Sequence, residues 1–331
     1  MSVRFPARVP LGFFPTPLVE ARRLSAHLGG PRIWIKRDDQ SGLALGGNKV
    51  RKLEYLVADA LARGCDTLIT GGAAQSNHCR QTAAAAAMHG LACHLVLGGE
   101  PPSLPAGNLL LDTLMGAQLH WAGDCRKGET IPALAEQLVQ QGHTPYCVPY
   151  GGSNVIGATG FVEATRELTE QLNAMKEAIS HIVFPSSSGG TQAGLIVGKR
   201  LYQQDYQIVG IGVDKEDFSA GTIKERVCEL AQATAHHLNA DITIPNDDID
   251  IRDSYCKSGY GVVTDTERKA IRLLAETEGL LVDPVYTGRA LVGLLDLVQS
   301  GELTTKDRVL FWHTGGTPAL FSHAPDLVDP L

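Results

Sequence analysis

The stretch His181-Ile182-Val183-Phe184-Pro185-Ser186-Ser187-Ser188-Gly189-Gly190-Thr191 holds the fold in miniature. His181 to Phe184 reads as a short buried strand. Pro185 and the Ser/Gly run break it, and a helix follows from Thr191. A strand that passes through a Gly- and hydroxyl-rich turn into a helix is the repeating unit of a wound, largely parallel α/β sheet. The same turn is the best phosphate candidate in the chain. Glycines let the backbone approach an anion, and the free N–H groups at a helix start point at it. An ordinary strand–helix turn with a Thr cap accounts for these residues equally well. The turn matches neither GxGxxG nor GxxxxGK[ST], which argues against a dinucleotide fold and against a phosphate-binding NTPase loop.

Outward from this unit the pattern repeats. Strands are expected at Arg32–Lys36, Thr67–Thr70, Ala92–Leu97, Gln118–Ala122, Thr144–Val148, Gln207–Val213 and Arg308–Trp312. Helices are expected at about Asn48–Arg63, from Ser76, from Gly107-Asn108, at Ile131–Gln141, Asn154–Met175, Glu267–Glu278 and Thr287–Gln299. The segment Val213 to Ser254 gives no clear pattern. No composition break marks a linker, and no fixed-period repeat is present.

The 331 residues are 44% hydrophobic but only 6% aromatic, with 36 glycines. That balance suits an α/β protein with many tight turns. The net charge of -7 and the lack of a Lys/Arg run argue against a nucleic-acid partner. No apolar stretch is long enough for a membrane span, and Met1 to Val19 lacks the layout of a signal peptide. The seven cysteines are scattered, with no CxxC pair, so neither a metal site nor a disulfide framework is expected. The expectation is a soluble cytoplasmic protein with reduced thiols.

In open α/β sheets, ligands gather beyond the carboxyl ends of the strands. Four turns could sit there: Gly46–Lys49, Gly71–His78, Ser186–Gln192 and His313–Thr317. Lys49 follows two glycines at a helix start, where a charged lysine is disfavoured and a neutral, nucleophilic amine is favoured. A solvated surface charge is the bland alternative, and Lys52, one turn on, competes for the role. Gln75-Ser76-Asn77 offers either a plain N-cap or a carboxylate cradle of N–H groups and hydroxyls. A His78-Cys79 nucleophile is disfavoured, because adjacent helical residues rarely face each other. Tyr260, between Gly259 and Gly261, and Tyr286, after Asp283-Pro284, sit at turns; each could simply pack in the core.

Taken together, the motifs resemble pyridoxal-phosphate (PLP) enzymes of the tryptophan-synthase β-subunit fold, fold type II. Within it, they are most similar to the D-cysteine desulfhydrase and 1-aminocyclopropane-1-carboxylate (ACC) deaminase group. The resemblance rests on Pro15-Thr16-Pro17-Leu18, Ile35-Lys36-Arg37-Asp38-Asp39, Gly46 to Glu54, Gln75-Ser76-Asn77-His78, Gly151-Gly152-Ser153-Asn154, Gly259-Tyr260-Gly261, Asp283-Pro284-Val285-Tyr286 and His313-Thr314-Gly315-Gly316, in that order. It covers nearly the whole chain. It implies two three-layer α/β domains with the active site between them: residues 1–50 plus 158–331 as the larger, and 51–157 as a smaller inserted domain.

The resemblance also implies roles. Lys49 matches the Schiff-base lysine and general base. Ser188, Gly189, Gly190 and Thr191 match the phosphate loop, and Asn77 the partner of the cofactor's ring hydroxyl. Gln75, Ser76 and Asn77 match the region that binds the substrate carboxylate, and Tyr260 and Tyr286 match catalytic tyrosines. ACC deaminases carry an acidic residue where this chain has Thr287, and tend to carry Leu where it has Thr314. Both differences favour the desulfhydrase side, with Thr314 facing the pyridine nitrogen. The stretch Gly98–Gly107 is shorter than the loop usual in desulfhydrases. The implied reaction is α,β-elimination from a small amino acid: D-cysteine to pyruvate, hydrogen sulfide and ammonia. L-Cysteate sulfo-lyase and ACC deaminase are the near alternatives, and a non-catalytic PLP-binding protein the distant one. A homodimer is implied by the family alone.

Overall fold

The computed structural model describes residues 3–125, 127–214 and 222–328. Ten strands among them are β1 (Leu18–Glu20), β2 (Arg32–Arg37), β3 (Thr67–Ala73), β4 (Ala92–Gly98), β5 (Gln118–Trp121), β6 (Pro145–Cys147), β7 (His181–Ser186), β8 (Gln207–Gly212), β9 (Asp250–Arg252) and β10 (Arg308–His313). They form a six-stranded sheet, ordered β1-β2-β10-β7-β8-β9, and a four-stranded sheet, ordered β5-β4-β3-β6. All pairings are parallel except β1 with β2.

Each sheet is the middle of three layers, and the period-two alternation of its strands assigns side chains to the two faces. In the larger sheet Trp34, Ile182, Phe184, Leu310 and Trp312 point one way. They pack on the helices Val155–Met175, Gly190–Leu201 and Ile223–His237. Ile33, Ile35, Val183, Val309 and Phe311 point the other way, onto the helices Arg22–Leu28, Asp265–Glu278 and Thr287–Gln299. In the smaller sheet Leu68, Leu95 and Leu97 meet the helices Lys49–Ala62 and Asn77–Met88. Ile69 and Val96 meet Ile131 and Leu138 of the helix Ile131–Gln140. This is the fold type II architecture that the motifs implied. The expected domain limits at 50/51 and 157/158 both fall in the first turn of a helix.

Six strands and α-helices lie outside the expected set: β1, the helix Arg22–Leu28, the helix Ile223–His237, β9 and the short helices Pro318–Ser322 and Ala324–Leu327. The third is opened by a capping box, in which the Thr222 hydroxyl accepts from Glu225 N–H and the Glu225 carboxylate accepts from Thr222 N–H.

A buried polar network joins the two sheets. The Arg51 guanidinium donates to both oxygens of Asp38, at 2.8 and 2.7 Å, and to Glu167 at 2.8 Å. Asp38 also accepts from the Thr16 hydroxyl at 2.9 Å and from Trp312 Nε1 at 2.8 Å, so both its oxygens are fully used. Lys36 donates to Glu167, to Gln171 and to the Thr16 carbonyl. Burial works against ionisation of Glu167, yet the bonds and charges of Arg51 and Lys36 hold its carboxyl down at about 2. Removing one partner of a buried, hydrogen-bonded ion pair leaves an uncompensated charge. Asp38→Ala should therefore lower stability by about 3–5 kcal/mol, read as a lower urea midpoint with unchanged slope.

Candidate active site

Strands β3, β7 and β10 all end at one cleft between the two sheets. Its walls place Lys49, Ser76, Asn77, Ser188, Gly189, Thr191, Tyr260, Tyr286 and Thr314 together. These residues are up to 265 positions apart in the chain, so the arrangement is made by topology rather than by local sequence.

Lys49 is the first residue of its helix. The chain reaches it through Gly46, at φ +70°, where a Cβ would lie 2.1 Å from the Asp39 carbonyl oxygen; only glycine fits that approach. Asn48 N–H donates to the Thr314 carbonyl at 3.0 Å, which ties the helix start to the end of β10. Lys49 Nζ donates to the Gly151 carbonyl at 3.2 Å. Burial pushes this amine down to about 8. Lys52, the competitor, points behind the wall, where Nζ donates to Gly151 O at 3.0 Å and Ser153 Oγ at 3.2 Å. Burial and the Lys49 charge hold it well below its ordinary value. Lys49 faces the cleft and Lys52 does not.

The turn after β7 keeps its donors open. Gly189 takes φ +83° and precedes the helix Gly190–Leu201. Gly190 N–H donates to Ser153 Oγ at 3.2 Å, and Ser153 Oγ lies 2.7 Å from Ser188 Oγ. Among the described residues, the N–H groups of Ser187, Ser188, Gly189 and Thr191 have no acceptor. Four uncommitted donors at a helix start form a cradle for an anion. Gly190 itself does not line the cleft; its N–H is spent on Ser153, which secures the turn.

At the end of β3, Ser76 is an N-cap, since its Oγ accepts from Cys79 N–H at 3.1 Å. It also lines the cleft. The N–H groups of Asn77 and His78 have no acceptor among the described residues, which gives a second anion-binding helix start. Gln75 corrects the expectation that placed it at the substrate. Its side chain turns away, accepting from Asn108 N–H at 2.8 Å and donating to the Ala106 carbonyl at 3.0 Å. The segment before the helix Gly107–Leu114 claims both ends of this amide. Gln81 bridges the walls: it accepts from Val50 N–H at 2.9 Å and donates to the Asn77 carbonyl at 3.1 Å.

His78 is neutral, held well below its ordinary value by burial and by the Lys49 and Lys52 charges. Cys79 lies in the core of the smaller sheet, and burial raises its thiol well above the usual range. A His78–Cys79 nucleophile is thus absent. The Tyr260 and Tyr286 hydroxyls lie 2.7 Å apart, with the rings edge to face. Burial, then the neighbouring Tyr260, pushes Tyr286 well above 10, so it stays an O–H donor at neutral pH. Thr287 is fully buried and trades hydrogen bonds with Asp283, donating to Oδ1 at 2.6 Å and accepting from Asp283 N–H at 2.8 Å. Ser153 and Tyr150 were not foreseen at the site. The Gly151-Gly152-Ser153 run after β6 was the available signal.

A family model described as "Pyridoxal-phosphate dependent enzyme" matches residues 9–315. A D-cysteine desulfhydrase of Klebsiella pneumoniae (strain 342) is 44% identical over 330 residues, 98% of both chains. One of Salmonella choleraesuis (strain SC-B67) is 44% identical over 97% of both. The crystal structure of an ACC deaminase homologue superposes with a TM-score of 0.89 at 36% identity, covering 98% of this chain and 96% of that one. A fungal L-serine ammonia-lyase from Rhizomucor miehei, 19% identical with a TM-score of 0.63, shares the fold over 92% of this chain and 94% of its own. With residues 9–315 matched by the family model and relatives 44% identical over 98% of its length, this chain belongs to the pyridoxal-phosphate-dependent enzyme family.

Proposed function

We propose that this protein is a D-cysteine desulfhydrase, converting D-cysteine to pyruvate, hydrogen sulfide and ammonia. The observation that carries the reading is the pairing of a buried Lys49 amine with two separate anion cradles in one cleft. Relatives named D-cysteine desulfhydrase match the chain end to end. The side chains fit PLP. The N–H groups of Ser187, Ser188, Gly189 and Thr191 would hold its phosphate, and Lys49 would hold it covalently. Asn77 would meet its ring hydroxyl and Thr314 its ring nitrogen. Bound PLP supplies an electron sink for charge developing at the substrate Cα.

The protein's own part follows from the geometry. The Ser76 hydroxyl and the N–H groups of Asn77 and His78 receive the substrate carboxylate. That would leave Cα near Lys49, whose amine, when free and neutral, would accept the Cα proton. Tyr286, kept protonated by burial and bonded to Tyr260, holds a proton for the departing sulfur. Water then hydrolyses the enamine left behind to pyruvate and ammonium. Thr287, engaged with Asp283, puts no acidic group in the cleft where ACC deaminases have one. The two sheets support the domain division 1–50 with 158–331 and 51–157. The unpaired cysteines support a cytoplasmic setting. A homodimer is supported by the adjoining helices Gly107–Leu114 and Pro318–Ser322, which leave Leu110, Leu114 and Phe321 exposed.

Two outcomes are expected. Lysine attacks an aldehyde only as the neutral amine, so capture of PLP by the cofactor-free protein should speed up as pH rises through about 8, followed by the visible band. Acceleration delayed to the ordinary lysine range, near pH ~10.4, would contradict the effect of burial. In product assays, D-cysteine should yield pyruvate and sulfide in equal amounts, and Lys49→Ala should slow this by about 10³-fold or more. Sulfite from L-cysteate or 2-oxobutyrate from ACC at a higher kcat/KM than D-cysteine shows would move the substrate assignment and leave the cofactor assignment standing.

A further inference from the structure

Asn77 lines the cleft, and its amide nitrogen has no acceptor among the described residues, while its Oδ1 accepts from Asn108 Nδ2 at 2.8 Å. Asn108 is fully buried and fully committed. Its second amide hydrogen goes to the Gln75 carbonyl at 2.8 Å, and its own Oδ1 accepts from Arg80 NH1 at 3.0 Å. Arg80, also fully buried, donates through its other terminal nitrogen to the Gly46 carbonyl at 2.5 Å.

A guanidinium has hydrogens to give and no lone pair to accept with. Arg80 therefore forces the oxygen of Asn108 towards itself. Asn108 must then present hydrogens to Asn77, and Asn77 must present oxygen to Asn108. Its one remaining face, the N–H₂, is left for the cleft. We propose that Asn108, fixed by Arg80, is a positioning residue that sets the polarity of Asn77, making it an obligate donor to an anionic oxygen on the cofactor ring. This rests on the reading that Asn77 meets the ring hydroxyl, and it adds what compels Asn77 to donate there. The donor stabilises the deprotonated oxygen; an Asn77 turned end for end would repel it.

The test compares binding of PLP with binding of its analogue bearing hydrogen in place of the ring hydroxyl, using the full-length chain stripped of cofactor. Asn108→Asp is nearly isosteric and can pair with Arg80, but it offers oxygens to Asn77 and should flip it. The expected result is a Kd for PLP raised about tenfold, the scale of one hydrogen bond to a charged group, with the Kd for the analogue changed less than about twofold. Asn108→Ser, which removes the donor without adding charge, should show the same selective loss in smaller measure and serves if the Asp variant does not fold. Equal weakening of both ligands would reduce Asn108 to a packing residue and overturn the proposal. An undiminished preference for PLP in both variants would also overturn it. If the unaltered protein itself fails to prefer PLP, the assignment of Asn77 to the ring hydroxyl fails, separately from any role of Asn108.

Discussion

The contact on which the rest depends is the ion pair of Arg51 with Asp38, made through two hydrogen bonds and extended through Glu167, Lys36, Thr16 and Trp312. Charges buried this deeply are tolerated only with complete, well-aligned partners. Completeness here is geometric discipline. Asp38 follows β2, Trp312 lies on β10, Glu167 lies on the long helix and Arg51 lies in the first turn of the helix of Lys49. None can slide without stranding a charge in a medium that penalises it heavily. Lys49 stands two residues before Arg51. The least forgiving interaction in the molecule thus sets where the reactive amine begins its reach.

The cleft works by withdrawing water more than by placing charge. Among the described residues lining it, Lys49 is the one side chain from the lysine and arginine set. The turn after β7 offers backbone N–H groups and hydroxyls, and so does the helix start at Ser76. Helix starts serve this purpose because their donors point outward and carry partial positive charge. The same burial that strips water holds Lys49 near neutrality and the Tyr286 hydroxyl protonated. Burial is thus the largest cause at both groups, lowering the amine and raising the phenol.

Much of this was readable from the chain. The buried strands announce themselves by short apolar runs, and the Gly-rich turns by residues that only a tight backbone needs. β1 and β9 are three residues each, too short for any periodicity, and the helix Ile223–His237 hides its apolar stripe among polar residues. Lys49 and Lys52 were separable only by which wall each faces. Gln75 misled because its neighbours in sequence point to the substrate while its side chain is claimed by Ala106 and Asn108. Ser153 and Asn108 act through partners about thirty positions away, and no local pattern reports such bonds.

The Gln81 bridge has a mechanical meaning. Lys49 starts a helix that packs on the smaller sheet yet is tied to the larger one through Arg51 and the Thr314 carbonyl, whereas Ser76 starts the neighbouring helix after β3. Left to themselves, two such supports would let the distance between base and substrate drift with every tilt of one helix against the other. A single amide that accepts beside Lys49 and donates beside Ser76 works as a tie-rod between them. It fixes the start of one helix against the start of its neighbour.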